Sequence, residues 1–306
     1  MTASPQIGAK DWLVIGGLAL VWGGSFLLIA LGLTGFGPLT LVFLRMALAI
    51  PLMLLALRWL GQRLPSDRQS WFHLTILGFL NIALPMALFF IAQTQIESGL
   101  ASILNATTPM WSVVFAHCFI HDERATWPKA IGVLAGFGGI VVMIGPNALQ
   151  GIGDDILAQL ACLFATACFA AAAVYARRLG ASITPVSIAT GQIITASLML
   201  APLPLLFETP FAAAPPMTAV LAVLAMAIIS TSIAYLLFFR LIARVGVGNS
   251  MLVALLMPAV AIALGVLFLS EQLREEQLGG MALILAGIVI IDGRMISRLA
   301  SRLSVP

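Results

Sequence analysis

Arg45 is the single basic residue set deep within an apolar stretch of this chain, seven residues after Pro38 opens that stretch. A guanidinium in such a place can hold a substrate carboxylate, bridge the carbonyls of a broken helix, or snorkel along its stem to the membrane interface. Ten further polar or aromatic residues sit in similarly apolar surroundings: Trp22, Ser25, Asn81, Asn105, Trp111, Tyr175, Gln192, Ser230, Ser232 and Tyr235. Amides and hydroxyls in hydrocarbon need partners, and a wet cavity supplies them, so these residues with Arg45 are the candidate lining of a substrate site. Hydrogen bonds between helices, worth about 0.6 kcal/mol each, account for any one of them equally well. Tyr175 lies near the end of its stretch, where an aromatic-belt role competes.

Other chemistries find no residues. The acidic side chains, Asp11, Asp67, Glu97, Asp122, Glu123, Asp154, Asp155, Glu208, Glu271, Glu275, Glu276 and Asp292, all fall at the ends of apolar stretches or between them. A cationic-drug pump or proton antiporter needs a membrane carboxylate that proton and substrate neutralise in turn, so both are disfavoured. The expectation is a carrier that runs down its substrate gradient or couples through something the sequence does not display. His73, His117 and His121 have no Cys, Asp or Glu at ligand spacing, which argues against a metal site. Serines at membrane depth have no His or Lys to activate them, so an intramembrane enzyme is not expected and no catalytic residue is assigned. Cys118, Cys162 and Cys168 lie in apolar helix and suggest no disulfide framework.

The chain that must position these groups is 61% hydrophobic and 9% charged, against about 25% charged in soluble domains. Windows of about 20 apolar residues predict an all-α polytopic membrane protein with ten transmembrane helices, over 12–32, 38–57, 70–92, 98–120, 128–145, 155–176, 183–206, 216–239, 247–269 and 276–293. The connections alternate between two sides. Thirteen Lys and Arg residues fall on the side of the termini, and Arg274 alone falls opposite. The positive-inside rule therefore predicts both termini in the cytoplasm, with no cleavable signal before the first span. Arg45 then lies on the order of 10 Å below the outer surface. The short connections leave no room for a soluble domain. The formal charge of +3 reflects the cytoplasmic loops and requires no nucleic acid.

The spans repeat. Phe89, Phe90, Gly99 and Pro109 recur 149 residues later as Phe238, Phe239, Gly248 and Pro258; Glu123, Gly132, Gly139 and Gly145 recur 148 later as Glu271, Gly280, Gly287 and Gly293. Pro38 and Arg45 answer more loosely to Pro185 and Gln192, while Asn81 and Ser230 keep the offset of 149. Five spans per copy is an odd number, so the copies, residues 1–147 and 148–306, are expected to form two inverted five-helix repeats. Prolines inside spans, Pro85 and the equivalent pair Pro109 and Pro258 among them, are candidate hinges or static kinks. Gly132, Gly136 and Gly139 with Gly279, Gly280 and Gly287 form small faces for close helix approach within one subunit. Glu123 and Glu271 end spans four and nine in matching positions, where each can pair with nearby Arg124 or Arg274 or cap the helix that follows; a gate latch built on such pairs is disfavoured, because surface ion pairs are weak.

Trp22-Gly23-Gly24-Ser25-Phe26, Pro38 followed by Arg45, and the duplicated proline, glutamate and glycine pattern resemble the EamA family of the drug/metabolite transporter superfamily across roughly residues 12–293. The resemblance implies two inverted five-helix repeats about a cavity that moves small metabolites, often outward across the bacterial inner membrane. Within the family the chain looks most like exporters of aromatic and other neutral amino acids. Small multidrug pumps of the superfamily carry a glutamate in the first span, and here that span has no carboxylate beyond Asp11. A carrier of sugar phosphates or nucleotide sugars should show several deep cations, and Arg45 stands alone. The expected partners are a small-molecule substrate and the lipid bilayer, with no cofactor and no obligatory protein partner.

Overall fold

The computed structural model describes residues 8–119, 127–144, 154–177, 183–210, 214–250, 252–272 and 274–292. Among these residues the regular structure is entirely helical: α1 (Ala9–Leu33), α2 (Pro38–Trp59), α3 (Arg68–Gly78), α4 (Leu84–Ala92), α5 (Ser98–Asn105), α6 (Thr108–Phe119), α7 (Trp127–Ile144), α8 (Asp154–Arg177), α9 (Pro185–Leu200), α10 (Pro202–Phe207), α11 (Met217–Ala225), α12 (Ala234–Ser250), α13 (Leu252–Leu269) and α14 (Glu275–Asp292). Two π-helical segments, Phe79–Ala83 and Met226–Ile233, join α3 to α4 and α11 to α12.

Local sequence explains the helix starts. Pro38 and Pro185 sit in first turns, where a missing N–H costs nothing. Asp67 caps α3 by accepting the Ser70 backbone N–H at 2.7 Å, and that bond holds its carboxyl below the usual range.

Among the described residues, six helical runs are long and apolar enough to cross a bilayer: Ala9–Leu33, Pro38–Trp59, Arg68–Ala92, Asp155–Ala176, Pro185–Phe207 and Met217–Phe238. The chain is a multi-pass membrane protein. The sequence predicts ten spans, and the other four places hold shorter helices. The stretch 98–120 breaks at Ala106 and Thr107 into α5 and α6, so Pro109 stands in the first turn of a new helix. Pro258, its counterpart, lies inside the continuous α13, and Pro85 lies in the first turn of α4, directly after a π segment. Residues 240–246, predicted as a loop, are helical in α12. Leu241 and Val245, four apart on one face, are buried against Ile15, Leu18 and Ala19 of α1, and that packing extends the helix. The linker 146–153 lies outside the described residues.

The two copies meet through reciprocal contacts. A Cβ on Gly139 of α7 would come within 2.6 Å of the Gly280 carbonyl oxygen of α14, and one on Gly287 within 2.5 Å of the Gly132 oxygen. Gly280 and Gly287 are the counterparts of Gly132 and Gly139, so the two helices touch as a two-fold pair touches. The π segments also correspond, carrying Asn81 and Ser230 at the repeat offset. Here α2 packs on the second π segment while α9 packs on the first.

Candidate substrate site

Arg45 is 5% exposed on the face of α2 that meets the second π segment. Its Nε donates to Thr231 Oγ1 at 3.0 Å, and its Cζ lies 6.0 Å from the centroid of the Phe90 ring. One residue earlier on that segment, the Ser230 carbonyl accepts the Trp22 indole N–H at 3.0 Å, while Ser230 Oγ donates to the Val21 carbonyl at 3.3 Å. Trp22 meets Tyr235 and Phe238 edge-on, with centroids at 6.3 and 4.9 Å. Tyr235 is also within electrostatic reach of the guanidinium. Four predicted site residues, Trp22, Arg45, Ser230 and Tyr235, thus come together from α1, α2, the π segment and α12.

The other π segment carries a smaller version. Asn81 Nδ2 donates to Gln192 Oε1 at 2.8 Å, joining the segment to α9. Close approach is enforced by Gly78, where a Cβ would collide with Thr195 Oγ1 and lie 2.9 Å from the Gln192 carbonyl. A π turn widens the helix and shifts its backbone bonding by one residue, a distortion frequent at functional sites. Ser232 illustrates the shift: its hydroxyl donates to the Ala227 carbonyl, five residues back, at 2.9 Å, so it braces the turn.

The remaining predicted residues are placed otherwise. Tyr175 shares a hydrogen bond with His73 Nδ1 at 2.7 Å. Trp111 packs edge-on against Phe137 at 5.0 Å, with its indole nitrogen buried and lacking an acceptor among the described residues. Asn105 closes α5, and its carbonyl accepts the Thr108 hydroxyl at 2.8 Å. Ser25 is buried, with no hydroxyl partner among the described residues. Sequence reasoning missed Thr231 and the ring contacts of Phe90 and Phe238. The signal was present: both phenylalanines belong to the repeated skeleton, and Thr231 is 150 residues from Asn81.

Two carboxylates tie the copies together at helix starts. Glu208 accepts the Leu39 N–H at 2.8 Å, the Thr40 N–H at 2.9 Å and the Thr40 hydroxyl at 2.6 Å. Glu271 accepts the Ser98 and Gly99 N–H groups at 2.8 and 3.0 Å, so it caps α5 of the other copy and not the helix that follows it, because the N–H groups of α5 face it across the packed ends. Partial desolvation, and then the Glu271 charge, raise the carboxyl of neighbouring Glu97 above its usual range. Glu123 and Arg124 lie outside the described residues. At α1, Asp11 pairs with Arg244 at 3.1 Å. Among the described residues, no group of His, Cys, Asp and Glu is arranged to hold a metal ion.

Residues 11–145 and 156–292 each match the EamA-like transporter family. The chain belongs to that family. This EamA transporter is 24% identical over 92% of its length to an uncharacterized transporter of Archaeoglobus fulgidus, covering 98% of that protein. It is 25% identical to a protein of Streptantibioticus cattleyicolor described as a probable terminal-alkyne amino-acid exporter, over 91% of this chain and 92% of the other. It is likewise 25% identical to the uncharacterized inner membrane transporter YedA of Escherichia coli K12, over 90% and 88%. A crystal structure of 20% identity superposes with a TM-score of 0.69 over 94% of this chain and 99% of its own, which establishes the shared fold alone. The two family matches begin and end close to the two copies. Family and relatives together point to transport and not to enzymatic catalysis.

Proposed function

We propose that this EamA transporter exports neutral or aromatic amino acids and related small metabolites by alternating access. In this reading ten spans form two inverted repeats, residues 1–147 and 148–306, in a bacterial inner membrane with both termini cytoplasmic. Substrate binds between the repeats, and bending at Pro85, Pro109 and Pro258 lets the bundles open in turn.

The observation that carries the reading is the exchange of partners at the π segments. Helix α2 of the first copy bonds to the second copy's π segment through Arg45 and Thr231, and α9 of the second bonds to the first copy's through Gln192 and Asn81. A binding region shared by two symmetry-related halves can be opened from either side by rocking one against the other. Glu208 and Glu271 join the copies only at ends predicted to lie outside, so they are the groups that would release when the outer side opens. The Streptantibioticus relative's description supports an amino-acid substrate, and the Escherichia coli relative's an inner-membrane location.

The test is counterflow in proteoliposomes preloaded with unlabelled phenylalanine, leucine or tryptophan. External labelled substrate should accumulate without an imposed ion gradient. Uptake that occurs only with a pH gradient would refute the downhill mechanism, and no exchange with any neutral amino acid would refute the substrate class.

A further inference from the structure

The charge at Arg45 is unbalanced. Among the described residues its side chain makes one hydrogen bond, from Nε to Thr231, and forms no ion pair. A guanidinium has five N–H donors, so the four on its Nη atoms have no acceptor within the described set. The acidic groups whose side chains are described are engaged or placed elsewhere: Asp11 with Arg244, Glu208 and Glu271 on helix N-termini, Asp67 on α3, Glu97 beside Glu271, and Asp155, Glu275 and Glu276 at the starts of α8 and α14. A buried cation without a counter-ion is costly, and an entering anion relieves that cost. The planar Nη fork matches the two oxygens of a carboxylate.

The surroundings specify the rest of the ligand. Phe90 presents its ring to the guanidinium, and Trp22, Tyr235 and Phe238 form an adjoining aromatic group. Such walls suit an apolar or aromatic body. Among the described residues the one carboxylate on these elements is Asp11 of α1, eleven residues before Trp22 and paired with Arg244, and a substrate ammonium is repelled by Arg45. We infer that Arg45 is a carboxylate-binding subsite that selects an apolar monocarboxylate by its acid group and its body, with no requirement for an α-ammonium. The inference deepens the transport reading, on which it rests for the site's place in the substrate path.

Three probes separate the groups: phenylalanine, 3-phenylpropionate, which lacks the ammonium, and phenethylamine, which lacks the carboxylate. Binding is measured calorimetrically on the full chain in detergent at neutral pH. The expected result is 3-phenylpropionate within about threefold of phenylalanine or tighter, and phenethylamine weaker by about tenfold or more. Arg45→Gln should weaken 3-phenylpropionate by about tenfold or more, with Arg45→Lys intermediate because ammonium is a point charge without the fork. Should Arg45→Gln fail to fold, Arg45→Lys and the probe series on the unaltered protein still decide. No measurable binding of 3-phenylpropionate, or phenethylamine equal to it, overturns the inference, as does Arg45→Gln binding it unchanged. Phenylalanine counterflow alongside any of those results leaves the transport reading standing. Conversely, Arg45-dependent binding of 3-phenylpropionate without amino-acid counterflow sustains the subsite and removes the amino-acid assignment.

Discussion

Arg45 with Thr231 and Gln192 with Asn81 are the same junction built twice, and they differ in whether the junction carries a net charge. In each, a helix from one copy reaches a π segment of the other, at 3.0 Å in the first and 2.8 Å in the second. Between the neutral amides, one donor meets one acceptor of similar polarity, and neither carries net charge. The guanidinium meets a single hydroxyl and keeps its charge and most of its donors. The lesson is that packing and chemistry obey the duplication to different degrees. Glycine contacts at α7 and α14 are matched nearly distance for distance, 2.6 against 2.5 Å, because backbone approach tolerates no substitution. A polar junction tolerates divergence, and one copy has taken a cation while the other has stayed neutral.

The largest effect should come from breaking the shared frame. Gly139→Leu drives a side chain into the Gly280 carbonyl and Ile284, and should cost about 3 kcal/mol through overpacking, whereas nothing lies within 4 Å of a Cβ at Gly138. Thermal unfolding in detergent should show Gly139→Leu melting well below Gly138→Leu; equal melting would mean that the reciprocal contact is not an interface. Next in size is Arg45→Gln, which makes the first junction resemble the second. Transport of a carboxylate substrate should fall by about tenfold or more while the melting temperature changes little, since what is removed is ligand contact. Loss of stability with transport per folded protein intact would assign Arg45 to the frame.

Gln192→Leu is the matched experiment on the neutral junction. It should cost about 0.6 kcal/mol and leave substrate selectivity unaltered. A transport defect as large as that of Arg45→Gln would erase the distinction drawn between the two sides. The smallest effect lies at the start of α5, where Glu97 is the N-cap. Because its folded carboxyl is raised, Glu97 contributes stability in its protonated form that is lost as pH rises through that raised value. Glu97→Gln should therefore melt slightly above the parent at pH 7, with the difference vanishing below the ordinary carboxylate range near pH 4. The residue is exposed, so solvent screening keeps the shift small. An advantage that grows on acidification would contradict the sign.

Particular residues show why some of this was legible and some was not. Trp22, Arg45, Ser230 and Tyr235 were readable as candidates because each is a polar or aromatic group in hydrocarbon, and the cost of that placement is a property of the residue itself. That Trp22 bonds to Ser230, 208 residues away, is invisible along the chain. Phe90 and Phe238 are repeat markers along the chain, but only folding shows that one faces the guanidinium and the other the indole. Tyr175 and Trp111 answered to the same pattern and went elsewhere. Pro109 and Pro258 read as equivalent kinks, yet the first begins a helix after a break and the second lies within one.

From the sequence alone came the membrane environment, the duplication, the rarity of deep charge and the expectation of a transporter. These depend on composition and on offsets between identical residues, quantities that need no coordinates. The tertiary structure alone decided which polar atoms satisfy one another, that the wide π turns fall on equivalent segments, and that Glu271 caps a helix in the opposite copy. A bilayer makes each buried polar group costly until it finds a partner. It does not say which one, because that choice is made by distances between segments more than a hundred residues apart.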